Sequence, residues 1–122
     1  AAVKMGAERV KARDLDPAVL SEVRHNLELN GIDPGLVELE EANLLDGMDE
    51  PVDLVTANII IEPLLEMLPS LGALLKPGGR ALFSGLLEKE RGRFSAALEE
   101  YGLSIADELA IGDWWGVSAG LK

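Results

Sequence analysis

Apolar positions along the 122-residue chain switch repeatedly between a period of two and a period near 3.6. "AAVKMG", residues 1–6, reads as the last turn of a helix closed by Gly6, a helix whose beginning would lie before Ala1. "ERVKAR", residues 8–13, alternates as a short strand with Val10 and Ala12 on one face. Asp16-Pro17 then opens a helix: a side-chain acceptor stands at the N-cap, and proline follows where its missing N–H costs nothing. Leu20, Val23 and Leu27 form the apolar stripe of that helix, His25 lies off the stripe in solvent, and Asn30-Gly31 stops it. "LVELEEA", residues 36–42, alternates as a second strand. "VDLVTANII", residues 52–60, is almost continuously apolar, which predicts a strand buried on both faces of a parallel sheet. Glu62-Pro63 begins another helix with Leu64, Leu65, Leu68, Leu71 and Leu75 as its apolar face, and Pro69 is expected to kink or divide it. "KPGG", residues 76–79, reads as a turn, and "RALFSGLL", residues 80–87, as the next strand. Residues 88–101 form an amphipathic helix with Phe94, Ala97, Leu98 and Tyr101 inward and Gly102 as its stop. Strands at about 103–110 and 113–121 close the chain around a turn at Gly112-Asp113, so this pair is antiparallel.

Strands that alternate with helices predict an α/β fold with an open, mostly parallel sheet and a closing antiparallel hairpin. No internal repeat, low-complexity tract or linker interrupts the pattern, so residues 1–122 read as a single domain.

The formal net charge of −11 argues against a direct nucleic-acid partner, because the phosphate backbone would be repelled. It suits a small-molecule site or a basic protein partner, and it is also what solubility alone would require. The chain has no cysteine, so disulfides and thiolate metal sites are excluded and a cytoplasmic setting is expected. No apolar run approaches the roughly 20 residues needed to cross a bilayer, so no membrane partner is expected. A single histidine leaves no histidine pair for a metal.

Candidate chemistry gathers at predicted strand ends, where open α/β sheets bind their ligands. Asp14 and Leu15 follow the first strand. The Asp14 carboxylate can accept two hydrogen bonds from a ribose diol, or it can serve the following helix as a negative charge at its N-terminus. Asp16 is the better-placed cap, which leaves Asp14 without a structural role of its own. Asn43 follows the second strand; its amide can read the edge of an adenine or simply complete a turn. Leu44 can wall a base or join the core. Asn58 ends the apolar strand: a buried amide must be satisfied, either by tying down the next turn or by facing a ligand. An asparagine carbonyl there can accept from a substrate amine and aim it at an electrophile. Glu62 can bind an amine or complement a helix dipole. Trp114 and Trp115 are adjacent on one strand and so point to opposite faces, one to the core and one to the surface or a substrate. There is no nucleophile elbow, no phosphate loop and no dinucleotide fingerprint, since the "KPGG" glycines precede a strand.

"DLDP", "NLELNG", "VDLVTANI", "LLKPGGRALFSGLL" and the tryptophan-bearing hairpin together resemble one family, the S-adenosylmethionine-dependent methyltransferases of ribosomal protein L11. "DLDP" is shared by many class I methyltransferases, whereas "ANI" running into "PLLEMLPSL", then "LKPGG" and "SGLL", is particular to this family. The resemblance covers about Gly6 to Gly120 and implies a Rossmann-like methyltransferase catalytic domain. It implies that Asp14 and Leu15 hold the ribose of S-adenosylmethionine, that Asn43 and Leu44 border its adenine, and that Asn58 helps position the incoming amine as the catalytic residue. The implied reaction is N-methylation of a basic ribosomal protein.

The family's glycine-rich loop lies upstream of the helix that ends at "KMGA", so it is expected before Ala1 or outside this polypeptide. The strand that carries the loop would lie mid-sheet, beside both the strand at 8–13 and the strand at 52–58. Its absence should leave unpaired backbone groups, relieved by closing of the sheet, by a second copy pairing along the open edge as a homodimer, or by a longer natural protein. The rival readings are a truncated, non-catalytic binding or oligomerising module and, against "ANI" and "LKPGG", a nicotinamide-dependent oxidoreductase.

Overall fold

The computed structural model describes residue 2 and residues 4–122, which fall into two compact units, Ala1–Asp46 and Gly47–Lys122. Ala1 and Val3 of the expected N-terminal helix turn lie outside the described residues. Within the same stretch Gly6 adopts φ +108°, and the Ala7 N–H bonds back to the Ala2 carbonyl at 3.1 Å, closing a turn at the glycine.

The first unit holds β1 (Val10–Asp14), α1 (Pro17–Leu29) and β2 (Val37–Glu41). β1 and β2 form a two-stranded parallel ladder running from Val10 opposite Val37 to Asp14 opposite Glu41. The N-cap of α1 is as the sequence predicts: Asp16 accepts the Ala18 N–H at 2.9 Å and Pro17 follows. Leu20 is buried, Val23 and Leu27 are half-buried, and His25 is exposed.

The second unit holds β3 (Val52–Asn58), α2 (Ile61–Leu74), β4 (Leu75–Leu87), α3 (Arg91–Glu100), β5 (Leu103–Ile111) and β6 (Trp114–Leu121). Its sheet has the order β3-β4-β6-β5, parallel between β3 and β4 and antiparallel through β6 and β5. The fold is α/β with a mixed sheet, as expected, and the closing hairpin is antiparallel. The strands form two sheets with no ladder joining β1 to β3 among the described residues, so the sheet has not closed up between these two strands.

One face of the larger sheet carries the core. Ala81, Phe83 and Leu86 of β4 and Trp115, Val117 and Ala119 of β6 pack against Leu64, Leu68 and Leu71 of α2 and Phe94 and Leu98 of α3. The rings of Phe83 and Trp115 meet Phe94 edge-on, with centroids 5.1 and 6.3 Å apart. The other face is uncovered within this unit: Leu54 is 51% exposed and Leu82 42%. β3 is thus not buried on both faces; it is an edge strand, with Thr56 and Asn58 exposed on the same side as Leu54.

Further expectations change in detail. α2 starts at Ile61 and continues through the exposed Pro69 to Leu74 without dividing, since Met67, Leu68, Leu71 and Leu74 are all buried around the proline. Leu75, assigned by its spacing to the helix, instead opens β4. "KPGG" is not a turn between elements but a bulge inside β4. Val52 pairs with Leu75 and Leu54 with Arg80, so the extra residues loop out, with Gly78 at φ +80°. Only a glycine fits at 79, because a Cβ there would lie 2.8 Å from the Lys76 carbonyl and 3.0 Å from that of Asp53. Tyr101, expected inward, is 41% exposed, because it caps α3 rather than continuing its buried stripe. No helix among the described residues is long and apolar enough to cross a membrane.

Candidate functional site

The first unit brings Asp14, Leu15, Asn43 and Leu44 to one end of its ladder, because parallel strands present their carboxyl ends together. The Ala42 N–H bonds to the Asp14 carbonyl at 3.1 Å, so the two strand ends are tied at the point where the loops diverge. Asp14 does have a structural role, because its Oδ1 accepts the Asp16 N–H at 2.9 Å in an Asx turn that sets up the α1 cap. Its Oδ2 has no hydrogen-bond partner among the described residues, and the side chain is half-buried. Leu15 is 60% exposed beside it. Asn43 is exposed and Leu44 half-buried in a turn closed by the Asp46 N–H on the Asn43 carbonyl at 3.0 Å. Leu44 adopts φ +51°, a left-handed conformation costing a leucine about 1–2 kcal/mol.

Arg13 clasps this loop, a role that the sequence pattern did not signal. Its Nε lies 2.8 Å from Glu40 Oε2, and its guanidinium also donates to the Asp46 carbonyl. A positive side chain at the end of one strand thus holds the acidic end of the next strand and the turn after it. A basic residue immediately before the strand-end aspartate was the available cue.

The second unit, described by itself, holds a cleft of its own. A cleft of about 590 Å³ opens at the carboxyl ends of β3 and β4, against the β5–β6 hairpin. That is the size of an ordinary small-molecule or side-chain pocket. Asn58 and Ser84, paired across β3 and β4, supply its polar edge, while Ile60, Leu109, Ile111 and Trp114 supply apolar walls. Trp115 is 2% exposed and anchored in the core, its indole N–H donating to Glu108 Oε1 at 3.2 Å. Trp114 is 59% exposed and faces the cleft, so the tertiary structure resolves which tryptophan does which.

Asn58 is exposed rather than buried, and its amide makes no hydrogen bond to the described residues. It does not tie down the following turn. Glu62 is engaged elsewhere: its carboxylate takes two bonds from Arg93 of α3, at 2.9 and 3.3 Å, and this pair holds the Arg93 pKa above its ordinary value. Glu62 is therefore a link between α2 and α3 and not an amine ligand. Sequence reasoning missed Ser84 and Gly85 as site residues, although "SGLL" had stood out as a pattern without a role.

The hairpin wall is fixed at both ends. Glu88 N–H donates to the Asp113 carbonyl at 2.8 Å, joining the end of β4 to the hairpin turn. Arg91 of α3 lies 2.6 Å from Glu108 Oε1, the oxygen that also accepts from Trp115.

Comparison with known proteins adds a consistent set of likenesses. A family model described as ribosomal protein L11 methyltransferase (PrmA) matches residues 1–122. Among curated proteins, the ribosomal protein L11 methyltransferase of Brevibacillus brevis is 37% identical over 119 residues, covering 98% of this chain and 38% of the relative. That of Bacillus subtilis is 35% identical over 119 residues, with the same shares. The chain thus spans under two-fifths of the length of the curated relatives it matches. Among solved structures, the ribosomal protein L11 methylase of Lactobacillus delbrueckii subsp. bulgaricus superimposes with a TM-score of 0.94 at 32% identity, over 99% of this chain and 62% of that one.

Proposed function

The chain belongs to the ribosomal protein L11 methyltransferase family, and from that premise we propose that it is part of an S-adenosylmethionine-dependent enzyme that methylates amines of a basic ribosomal protein. The observation that carries this reading is Asn58: an amide with no hydrogen-bond partner among the described residues, at a strand end, on the polar edge of an otherwise apolar cleft.

The residues present suit the nucleoside end of the cofactor. Asp14 offers a half-buried carboxylate whose Oδ2 is not spent on the protein among the described residues, which is the acceptor a ribose diol needs. Asn43 and Leu44 stand on the neighbouring strand's loop as the edge reader and the wall of the base. When bound, S-adenosylmethionine supplies an electrophilic methyl group on a sulfonium sulfur. The protein's part is to align the amine, since proximity and orientation provide much of the rate in a displacement of this kind. The Asn58 carbonyl accepts an N–H of the amine and so directs its lone pair. Trp114, Leu109 and Ile111 hold the aliphatic stem of the side chain that carries the amine and shield it from water. None of the cleft's lining side chains titrates near neutral pH, so the amine's proton leaves to solvent before attack.

The test is calorimetric titration with S-adenosylmethionine or S-adenosylhomocysteine, followed by transfer of labelled methyl groups to ribosomal protein. The expected result is saturable binding by the intact protein and label on the ribosomal protein. Absence of binding at millimolar ligand overturns the reading and leaves a non-catalytic module that keeps the family's fold.

A further inference from the structure

β4 carries a second irregularity at the cleft. Its ladder with β6 slips between Phe83 and Leu86: Phe83 pairs with Val117 and Leu86 with Trp115, so one residue of β4 bulges out. Gly85 sits in that bulge at φ +85°. Bulges beside a site re-aim the residues around them.

Its positive φ already favours glycine, and the space around it adds a second requirement. Gly47, Gly78, Gly102 and Gly112 of the same unit also have positive φ, and a Cβ added at any of them meets nothing within 4 Å. At Gly85 the added carbon would lie 2.7 Å from the Ile59 carbonyl oxygen and 3.0 Å from Asn58 Oδ1. A side chain there would meet the Ile59 backbone first and the Asn58 amide oxygen next.

Resting on the reading of Asn58 given above, we propose that Gly85 is a positioning residue: by leaving its Cβ site vacant, it seats the Asn58 amide oxygen and keeps it open to the incoming amine. A methyl group at 85 pushes against the acceptor and covers it from the β4 side. The amide then turns away or is screened, and the amine loses its director while the cofactor's own groups in the first unit are unchanged.

The experiment is a double-mutant cycle in the intact protein, read as kcat and KM for methyl transfer to ribosomal protein. Asn58→Ala is expected to lower kcat about 100-fold, the cost of losing alignment at a reacting centre. Gly85→Ala is expected to lower kcat by a similar order while KM for S-adenosylmethionine stays within about twofold. The double variant is expected to be no more than about threefold slower than Asn58→Ala, because both changes remove one interaction. If the Gly85→Ala loss multiplies in full onto the Asn58→Ala background, the proposal is overturned and Gly85 is only a backbone requirement. If Asn58→Ala keeps wild-type kcat, the reading of Asn58 falls first and the proposal falls with it. Should Gly85→Ala not fold, the wild-type protein decides by NMR relaxation: a seated amide gives an order parameter above about 0.6 at Asn58 Nδ2, and a lower value overturns the proposal.

Discussion

At the scale of single residues, the candidate cofactor and substrate groups differ in how much of each is already spent on the fold. Asp14 divides its carboxylate: Oδ1 serves the Asx turn at 2.9 Å, and Oδ2 has no hydrogen-bond partner among the described residues. That division separates two roles by substitution. Asp14→Asn keeps a carbonyl for the Asp16 N–H and removes the charge. It should leave the thermal midpoint unchanged and weaken S-adenosylhomocysteine binding about 10- to 100-fold, the worth of one charge-assisted hydrogen bond. Asp14→Ala should add a stability loss of about 1 kcal/mol from the lost turn bond. Urea unfolding beside calorimetry checks both, and equal effects of the two variants on stability would contradict the division. The local cap was legible in "DLDP" because N-cap geometry depends on a few consecutive residues. The Asx turn of Asp14 competes with the ribose reading on the same residues, and spacing alone could not apportion the two oxygens.

At the scale of elements, the larger unit depends on one aromatic junction. Phe94 of α3 is fully buried between Phe83 of β4 and Trp115 of β6. Phe94→Ala should therefore destabilise the protein by about 3–5 kcal/mol in urea unfolding, the usual cost of emptying such a site. A loss below about 1 kcal/mol would mean that α3 does not close this core. Arg93, one residue away, behaves differently. Its guanidinium is exposed and pairs with Glu62, which raises its pKa. A raised value for a cation means that Arg93 keeps its charge below the ordinary arginine pKa and loses it only as pH climbs past the raised one. Lowering the pH from neutral therefore does not discharge Arg93, and high salt is what should weaken the link. The inward face of α3 was legible at Phe94 and Leu98 from their spacing. The path of α2 was not, since a proline rule written for isolated helices ignores the buried residues that hold both halves of this helix in place.

At the scale of the whole molecule, the larger unit offers β3 as an edge with no strand paired to it among the described residues, and a sheet face with Leu54 and Leu82 uncovered within that unit. Open edges are templates for pairing with another chain. The 122-residue chain prepared by itself is accordingly expected to self-associate, with a dimer seen by light scattering at micromolar concentration. A monodisperse monomer under those conditions would show that the edge is not used. The strong negative charge works against close approach of two copies, so association should tighten as salt is added.

By itself the sequence determined what local rules govern: the α1 cap at Asp16-Pro17, the alternation of strands and helices, the antiparallel hairpin around Gly112-Asp113, and a set of motifs specific enough to indicate the family. Each of these depends on a few neighbouring residues or on a hydrophobic period. Only the tertiary structure decided which face of a strand is covered. That assigned Trp115 to the core and Trp114 to the cleft, left Leu54 in solvent, and turned "KPGG" into a bulge held by Lys76 and Asp53 at 3.2 Å. It also brought Gly85 against Asn58, residues far apart in sequence that meet because β3 and β4 lie side by side in parallel register. A residue's own spacing fixes its parity on a strand, but whether that side is wet or dry depends on what packs there. That is a property of distant parts of the chain.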